Sequence, residues 1–220
     1  MTNSTLGTKV VQLVKDYLQR DYLRSNKERL GRVGVTDLVR CLRQAKYKLL
    51  GTTPTDIPPS VGALYDGRMH HELLQALFKF IFGEAVGHFE REVVLPTGVK
   101  GHIDGLLLDG EEQVLLEFKT MNRAGWSKRG TPDPGYVEQA NAYMGALGIE
   151  RGLFVYRLKD YFEVDCYEVK FDPALYNQTI GKSGTVANTP LDGLAKYPRS
   201  EKGDIDWRCR YCPYLSECRP

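Results

Sequence analysis

The stretch GHIDGLLLDGEEQVLLEFKTM, residues 101–121, decides the fold that we expect for this chain. Asp109-Gly110 in its middle is a strong hairpin signal between two strand-like segments. A two-residue turn at this dipeptide places Asp104 opposite Leu115 on the partner strand. Because side chains alternate along a strand, Glu117 then lies one diagonal step from Asp104 on the same face. A four-residue loop would keep this parity, whereas a three-residue loop would break it.

The same face of the predicted sheet gathers charged side chains, because Lys119 follows Glu117 by two residues. The apolar run Val114-Leu115-Leu116 before them predicts a buried central strand, in which charge is costly. Two carboxylates on a rigid surface can hold a hard divalent cation that also contacts a substrate phosphate. A nearby lysine can orient water or stabilise charge in the transition state. The competing interpretation is a solvent-facing strand with ordinary charges, since Glu-x-Lys is common.

The composition is that of a globular protein, with 42% hydrophobic and 26% charged residues in 220. Disorder, collagen and coiled coil are excluded for the whole chain, and no apolar run reaches the roughly 18 residues of a membrane span. The N-terminus lacks a basic start followed by an apolar core, so we expect no signal peptide and a cytoplasmic protein. The net charge is +2, but residues 15–48 hold ten basic and four acidic side chains. This surplus suits a phosphate backbone or, more simply, a solvated helical face.

Hydrophobic periodicity predicts one α/β domain with helices first, a sheet in the middle and a cysteine-bearing end. Helices are expected at residues 8–24, from a Thr36 cap to Leu50, at 60–82, within 131–148 and from 172 onward. Strands are expected at residues 88–96, 99–109, 111–121, 151–159 and 161–171. The single domain 1–220 divides into a helical part at 1–82, a core at 83–195 and a C-terminal segment at 196–220.

Four motifs, taken in their order along the chain, resemble those of a known nuclease superfamily. Gly101-x-x-Asp104 is similar to motif II of the PD-(D/E)XK nucleases. Glu117-x-Lys119, at its separation from the first motif, is similar to motif III. The RecB-like branch adds Gly-x-x-x-His on a preceding helix, which residues 67–71 match, and Gln-x-x-x-Tyr on a following helix, which residues 139–143 match.

This resemblance implies a fold and a set of site residues. The fold is α/β, with a restriction-endonuclease-like core in which helices flank a central mixed sheet, N-terminal helices and a C-terminal cysteine-rich segment that binds a cluster. The implied ligands of Mg²⁺ or Mn²⁺ are His71, Asp104, Glu117 and the backbone carbonyl of Phe118. The implied catalytic residues are Asp104, Glu117 and Lys119, with Gln139 and Tyr143 positioning DNA or supporting the site. We interpret the adjacent His70 as a packing residue, because consecutive helical side chains point about 100° apart.

Five cysteines are present, and clustered thiols in a cytoplasmic chain indicate a metal rather than disulfides. Cys209, Cys212 and Cys218 form a C-terminal trio, Cys41 offers a fourth thiolate, and Cys166 is interpreted as an ordinary strand thiol. Spacing alone leaves zinc and an iron–sulfur cluster open. One Cys before the core and three after it resemble the iron–sulfur nucleases of the RecB-like branch, which include CRISPR-associated exonucleases and AddB-type helicase–nucleases. The resemblance implies a structural [4Fe–4S] cluster on these four cysteines, with zinc as the alternative.

A basic loop follows the central hairpin, where Arg123, Lys128 and Arg129 surround Trp126. This pattern suits single-stranded nucleic acid, although the tryptophan could equally pack against the sheet. Together with this loop, the resemblance implies a divalent-metal-dependent exonuclease that hydrolyses phosphodiester bonds of single-stranded DNA or frayed ends. Its expected partners are DNA and proteins of recombination, replication or CRISPR adaptation, with no membrane. The alternatives are a structure-selective endonuclease, a non-cleaving nucleic-acid-binding subunit of a recombination or CRISPR adaptation complex, and a zinc-stapled structural protein.

Overall fold

The computed structural model describes residues 5–59, 61–127, 130–199 and 203–219. In these ranges the helices are α1 (Thr5–Lys27), α2 (Val35–Arg40), α3 (Leu42–Leu49), α4 (Val61–Phe82), α5 (Arg123–Trp126), α6 (Pro134–Leu147), α7 (Pro173–Asn188) and α8 (Leu215–Cys218). The strands are β1 (Val86–Gly87), β2 (Glu92–Val94), β3 (Lys100–His102), β4 (Gly105–Asp109), β5 (Glu112–Met121), β6 (Arg151–Leu158) and β7 (Val164–Lys170). Short 3-10 helices occupy Gly83–Ala85 and Trp207–Tyr211. The predicted α/β class, with helices before the sheet, is confirmed.

A five-stranded sheet in the order β1-β4-β5-β6-β7 forms the centre of the fold. β5 and β6 run parallel, and the other neighbours in this sheet run antiparallel. The link between the parallel strands contains α6, because a parallel crossover needs a connection of helical size. A separate ladder joins β2 to β3. The expected central mixed sheet flanked by helices is confirmed.

The two faces of β5 pack against different helices. Leu115 belongs to a buried cluster that includes Tyr143 of α6. Phe118 belongs to a second cluster, with side chains of α4. Because side chains alternate along a strand, Glu117 and Lys119 lie on the face that α6 covers.

The hairpin between β4 and β5 turns one residue later than we predicted. Asp109 pairs with Glu112, so the loop is formed by the two residues between them and not by Asp109-Gly110. Gly110 has a φ of 65°, a left-handed conformation that glycine adopts without steric cost. The register therefore shifts by two residues and keeps its parity. Extending the ladder by one pair brings Asp104 opposite Glu117 rather than one diagonal step away.

The prediction of one helix from Thr36 to Leu50 is wrong in one respect, because the structure has two helices, α2 and α3, separated at Cys41. Cys41 has φ −161° and ψ 112°, which is extended backbone that ends α2 and precedes α3. Gly34, not Thr36, is the N-cap of α2, and its backbone N–H donates to Asp37 Oδ2 at 3.0 Å. The break gives Cys41 a position between two helices instead of one within a helix.

The strand predicted at 99–109 also forms two elements. β3 pairs with β2 outside the central sheet, whereas β4 pairs with β5 inside it. Ile103 and Asp104 lie between them. The chain therefore changes sheets immediately at the predicted metal ligand.

Helix α1 contains the predicted segment 8–24 and extends beyond both of its ends. The C-terminal half of α1 contacts α4, where the Tyr65 hydroxyl donates to the carbonyl of Leu18 at 3.4 Å. Val10, Val14 and Tyr17 on the N-terminal half are at least half exposed. Across the described part of the chain, no helix combines the length and the apolar character needed to cross a membrane.

Candidate active site

Three elements bring the predicted metal ligands and the predicted lysine together. Asp104 precedes β4, Glu117 and Lys119 lie on β5, and His71 lies on α4. His71 Nδ1 is 3.3 Å from Asp104 Oδ1. Lys119 Nζ is 2.6 Å from Glu117 Oε2 and 3.9 Å from Asp104 Oδ2. We call these four side chains the acidic cluster.

Backbone geometry fixes the aspartate within the acidic cluster. The N–H of Phe118 donates to Asp104 Oδ2 at 2.7 Å, so β5 holds the carboxylate directly. Burial acts to raise the pKa of Asp104, but the hydrogen bond from His71 and the charge of Lys119 outweigh it and lower that pKa. Asp104 is therefore ionised at neutral pH.

Glu117, which is buried, and Lys119, which is partly buried, form an ion pair within the acidic cluster. Glu117 is only 2% exposed, and this burial raises its pKa to about 7. Burial acts to lower the pKa of Lys119, but the carboxylates of Glu117 and Asp104 raise it above its usual value. The ammonium group is therefore protonated and neutralises part of the negative charge of the two acids.

The acidic cluster fits a divalent cation. Glu117 Oε1 is buried and has no hydrogen-bond partner among the described residues. A buried acceptor in this state costs about 1–3 kcal/mol, which a bound cation would offset. Carboxylate oxygens with one imidazole are donors that suit Mg²⁺ or Mn²⁺. Within the described residues no group of three His, Cys, Asp or Glu side chains is arranged to hold a metal ion. The Lys119 ammonium lies nearest to Glu117 in the acidic cluster.

Helix α6 places the predicted Gln139 and Tyr143 beside the acidic cluster. Gln139 Nε2 donates to the Tyr143 hydroxyl at 3.3 Å, as their spacing of four residues permits. Tyr143 is buried, and burial together with the charge of Glu117 raises its pKa. A Cβ added at Gly101 would lie 2.5 Å from the Tyr143 hydroxyl oxygen, so only glycine lets the ring pack against β3. This contact joins the first residue of one predicted motif to the last residue of another.

His70 points away from the acidic cluster. Its imidazole contacts the guanidinium of Arg157 and lies 3.2 Å from Asp66 Oδ1, one turn earlier on α4. Burial and the charge of Arg157 lower the pKa of His70. The structure therefore places His71, and not His70, beside Asp104.

The predicted cluster cysteines lie together although they are far apart in sequence. Cys41, Cys209, Cys212 and Cys218 line one cavity, and none of them forms a disulfide. Burial raises the pKa of Cys41, and raises that of Cys212 to about 12. The same cavity is lined by four cationic side chains: Arg43, Lys196, Arg208 and Arg219. A cavity with four thiols and a cationic wall suits a group with net negative charge. Cys166 lies elsewhere, exposed on β7.

Protein contacts hold the C-terminal segment against the N-terminal helices next to this cavity. The rings of Tyr47 and Tyr214 stack with centroids 5.2 Å apart, and the Tyr47 hydroxyl donates to the carbonyl of Glu217 at 3.2 Å. The backbone N–H of Ser216 donates to Asp56 Oδ2 at 2.9 Å. The two ends of the fold therefore meet through packing and hydrogen bonds around the four cysteines.

Comparison with known proteins finds exonucleases of similar sequence and of similar fold. The chain is 25% identical over 202 residues to the CRISPR-associated exonuclease Cas4 of Saccharolobus solfataricus, which covers 84% of this chain and 85% of that protein. The crystal structure of SSO0001 matches with a TM-score of 0.61 and 22% identity, covering 94% of this chain and 96% of that one. The alkaline exonuclease LHK-Exo from Laribacter hongkongensis matches with a TM-score of 0.57 and 20% identity, covering 79% and 92%. No protein-family model matches the chain.

The sequence match to Cas4 is consistent with the predicted resemblance to the RecB-like PD-(D/E)XK nucleases, and the structural matches show a shared fold. The structural likeness extends over almost the whole chain, so the N-terminal helices and the C-terminal segment belong to the shared fold. The predicted residue roles and the three-part division of the domain stay predictions.

The basic loop after β5 is described only in part. Trp126 packs against the buried cluster on the α6 face, which favours the packing interpretation for this residue. The guanidinium of Arg123 lies 5.5 Å from the ring centroid of Tyr161. Lys128 and Arg129 lie outside the described residues.

Several basic residues of the stretch 15–48 form ion pairs and hydrogen bonds that stabilise the fold. Lys48 is buried and pairs with Asp37 at 2.5 Å. Lys46 Nζ donates to the carbonyl of Val186 at 2.9 Å, near the end of α7. Arg43 donates to two backbone carbonyls of the segment that follows α7. These side chains hold α3 against α2, α7 and the segment that follows α7, so the charge surplus overstates the surface available to a phosphate backbone.

Sequence reasoning missed Tyr136, which contacts the proposed site. Lys119 Nζ lies 4.9 Å from the centroid of the Tyr136 ring, a cation–π distance. Tyr136 precedes Gln139 by three residues and Tyr143 by seven, so all three lie on one face of α6. This helical spacing was the available signal for it.

Proposed function

We propose that this protein is a divalent-metal-dependent DNA exonuclease acting on single strands or frayed ends. The observation that carries the proposal is the buried Glu117, whose Oε1 has no partner among the described residues although Asp104 and Lys119 lie beside it. A purely structural site would not gain from an unsatisfied buried carboxylate next to a second acid. The same feature argues against a non-cleaving subunit.

Asp104, Glu117 and His71 would hold Mg²⁺ or Mn²⁺, with the Phe118 carbonyl as a further donor. When bound, the cation would polarise the scissile phosphate and lower the pKa of a coordinated water. Asp104 is kept in place by the Phe118 N–H, so one ligand is oriented before any cation arrives. Removing the cation or either carboxylate is therefore expected to abolish cleavage.

Lys119 would act as a positive charge near the reacting phosphate rather than as a general base. Its pKa is raised, so the ammonium remains protonated and can stabilise negative charge on the phosphate oxygens or orient the attacking water. Its hydrogen bond to Glu117 and the ring of Tyr136 fix its position. Gln139 and Tyr143 would support this arrangement from α6.

We propose a [4Fe–4S] cluster on Cys41, Cys209, Cys212 and Cys218. The cavity that the four thiols share, and its cationic wall, support this assignment. The cluster would reinforce the junction between the two ends of the fold.

The relatives support the substrate that we propose. One is a CRISPR-associated exonuclease, and LHK-Exo, an alkaline exonuclease, has been crystallised with dAMP. By analogy the chain would act in the cytoplasm, where thiols stay reduced, and work with proteins of CRISPR adaptation, recombination or replication.

The test uses protein purified without oxygen and single-stranded DNA labelled at the 5′ or the 3′ end. We expect label release with Mn²⁺ or Mg²⁺, none with EDTA, and none from Lys119→Ala. Lys79→Ala, which removes an exposed lysine of α4, is the matched control and should cleave like the parent. Failure of folded parent protein to cleave any DNA would overturn the proposal in favour of a binding subunit. Cleavage of closed circular single strands would identify an endonuclease, because an exonuclease needs an end.

A further inference from the structure

The tip of the β6–β7 hairpin exposes two adjacent aromatic side chains. Tyr161 and Phe162 are 57% and 55% exposed. The tip starts where β6 leaves β5, since the N–H of Lys159 donates to the carbonyl of Met121 at 3.0 Å. Met121 lies two residues beyond Lys119, about 7 Å along the strand. This aromatic tip, Tyr161 and Phe162, is therefore at the same end of the sheet as the acidic cluster.

Cations beneath the two rings hold the aromatic tip in place. The guanidinium carbon of Arg157 lies 4.8 Å from the centroid of Phe162, and that of Arg123 lies 5.5 Å from the centroid of Tyr161. Arg157 is buried and contacts His70, which anchors Phe162 to α4. Each ring thus has a cation on one side and more than half of its residue surface open to solvent. Such rings form a preorganised apolar surface.

We propose that the aromatic tip is a stacking platform for the unpaired bases of single-stranded DNA that enters the acidic cluster. This inference rests on the proposed nuclease function. Aromatic side chains stack on any base, and stacking is therefore tolerant of sequence, as a nuclease of this kind needs.

The size of the aromatic tip favours a base over a protein. Two aromatic residues of about 150–250 Å² each, slightly more than half exposed, offer about 200–300 Å². A stable protein interface needs about 800 Å² on each partner. Asp160 and Glu163 flank the two aromatic residues in the sequence. The platform would therefore act through stacking, and its contribution to affinity would change little with salt, unlike that of phosphate contacts.

The test compares the double variant Tyr161→Ala/Phe162→Ala with the control Phe80→Ala, which removes a ring that is 88% exposed on α4. Anisotropy of a labelled oligothymidylate of about a dozen nucleotides is measured in EDTA, where no cleavage occurs. We expect the double variant to bind at least about tenfold more weakly than the parent, by the same factor at low and at high salt. With Mn²⁺ we expect KM to rise and kcat to stay near that of the parent. Phe162→Tyr, which keeps an aromatic ring at the tip, should bind like the parent.

Three results would overturn the platform. The first is parent-like binding by the folded double variant, and the second is a loss of affinity that disappears at high salt. The third is an unchanged DNA affinity of the double variant together with a changed oligomeric state, which would make the tip a contact between copies. Failure of the nuclease proposal is distinguishable. A parent that binds single strands through the tip but cleaves none of them with Mn²⁺ would refute the nuclease and keep the platform.

Discussion

Replacing Gly101 with alanine tests the contact that joins β3 to α6. The added Cβ would lie 2.5 Å from the Tyr143 hydroxyl oxygen and 2.6 Å from its Cε1, so the ring must move by almost 1 Å to reach an ordinary contact. The ring is buried and cannot move freely. Overpacking of this kind costs about 1–3 kcal/mol, and loss of the Gln139 hydrogen bond adds about 1 kcal/mol. For a chain of this length we expect the Tm to fall by about 4–16 °C.

Thermal unfolding followed by circular dichroism measures this change. Gly87→Ala is the matched control, because a Cβ at this strand glycine meets nothing within 4 Å. We expect Gly101→Ala, but not Gly87→Ala, to reduce cleavage as well, since the displaced ring lies beside Glu117. Tyr143→Phe in the Gly101→Ala background should recover part of the loss, because it removes the closest atom. A Tm for Gly101→Ala equal to that of Gly87→Ala would refute the packing argument.

Two further predictions concern metals. Glu117, with a pKa raised to about 7, is increasingly protonated as the pH falls below that value, and the proton competes with the cation. Calorimetric titration should therefore show Mn²⁺ affinity falling by up to about tenfold per pH unit between about pH 7 and about pH 5, and equal affinities would contradict the role of Glu117. Cys212→Ser should remove the bound iron and lower the Tm, whereas Cys166→Ser on β7 should leave both unchanged. Iron and zinc analysis of the anaerobically purified proteins checks this, and one zinc per parent chain would refute the iron–sulfur assignment.

Patterns among neighbouring residues predicted much of the fold. The β4–β5 hairpin was predictable because its turn dipeptide and apolar run are signals confined to neighbouring residues. The register was off by two residues, since the turn begins at Gly110 and strand pairing beyond it decides the alignment. The error left Asp104 and Glu117 on one face, because side chains repeat every second residue.

Other features depend on contacts distant in sequence. The break at Cys41 lies where the chain meets the C-terminal segment, so helical periodicity alone could not reveal it. In the sequence Trp126 belongs to a basic loop, but in the structure it packs against the buried cluster on the α6 face of the sheet. The sequence of the aromatic tip is that of an ordinary hairpin. Its distinguishing feature is the pair of cations under the rings, which α5 and β6 supply only in the folded chain.

The most direct test of the central claim is the rate of label release from end-labelled single-stranded DNA with Mn²⁺ by Asp104→Asn and by Asp109→Asn. Both variants replace a carboxylate near β4 with an amide, but Asp109 is exposed and pairs with Arg151 far from the acidic cluster. We predict that Asp104→Asn loses cleavage by at least about 10³-fold while remaining folded, and that Asp109→Asn cleaves at the parental rate. Equal rates for the two variants would contradict a metal-dependent nuclease at Asp104, Glu117 and Lys119.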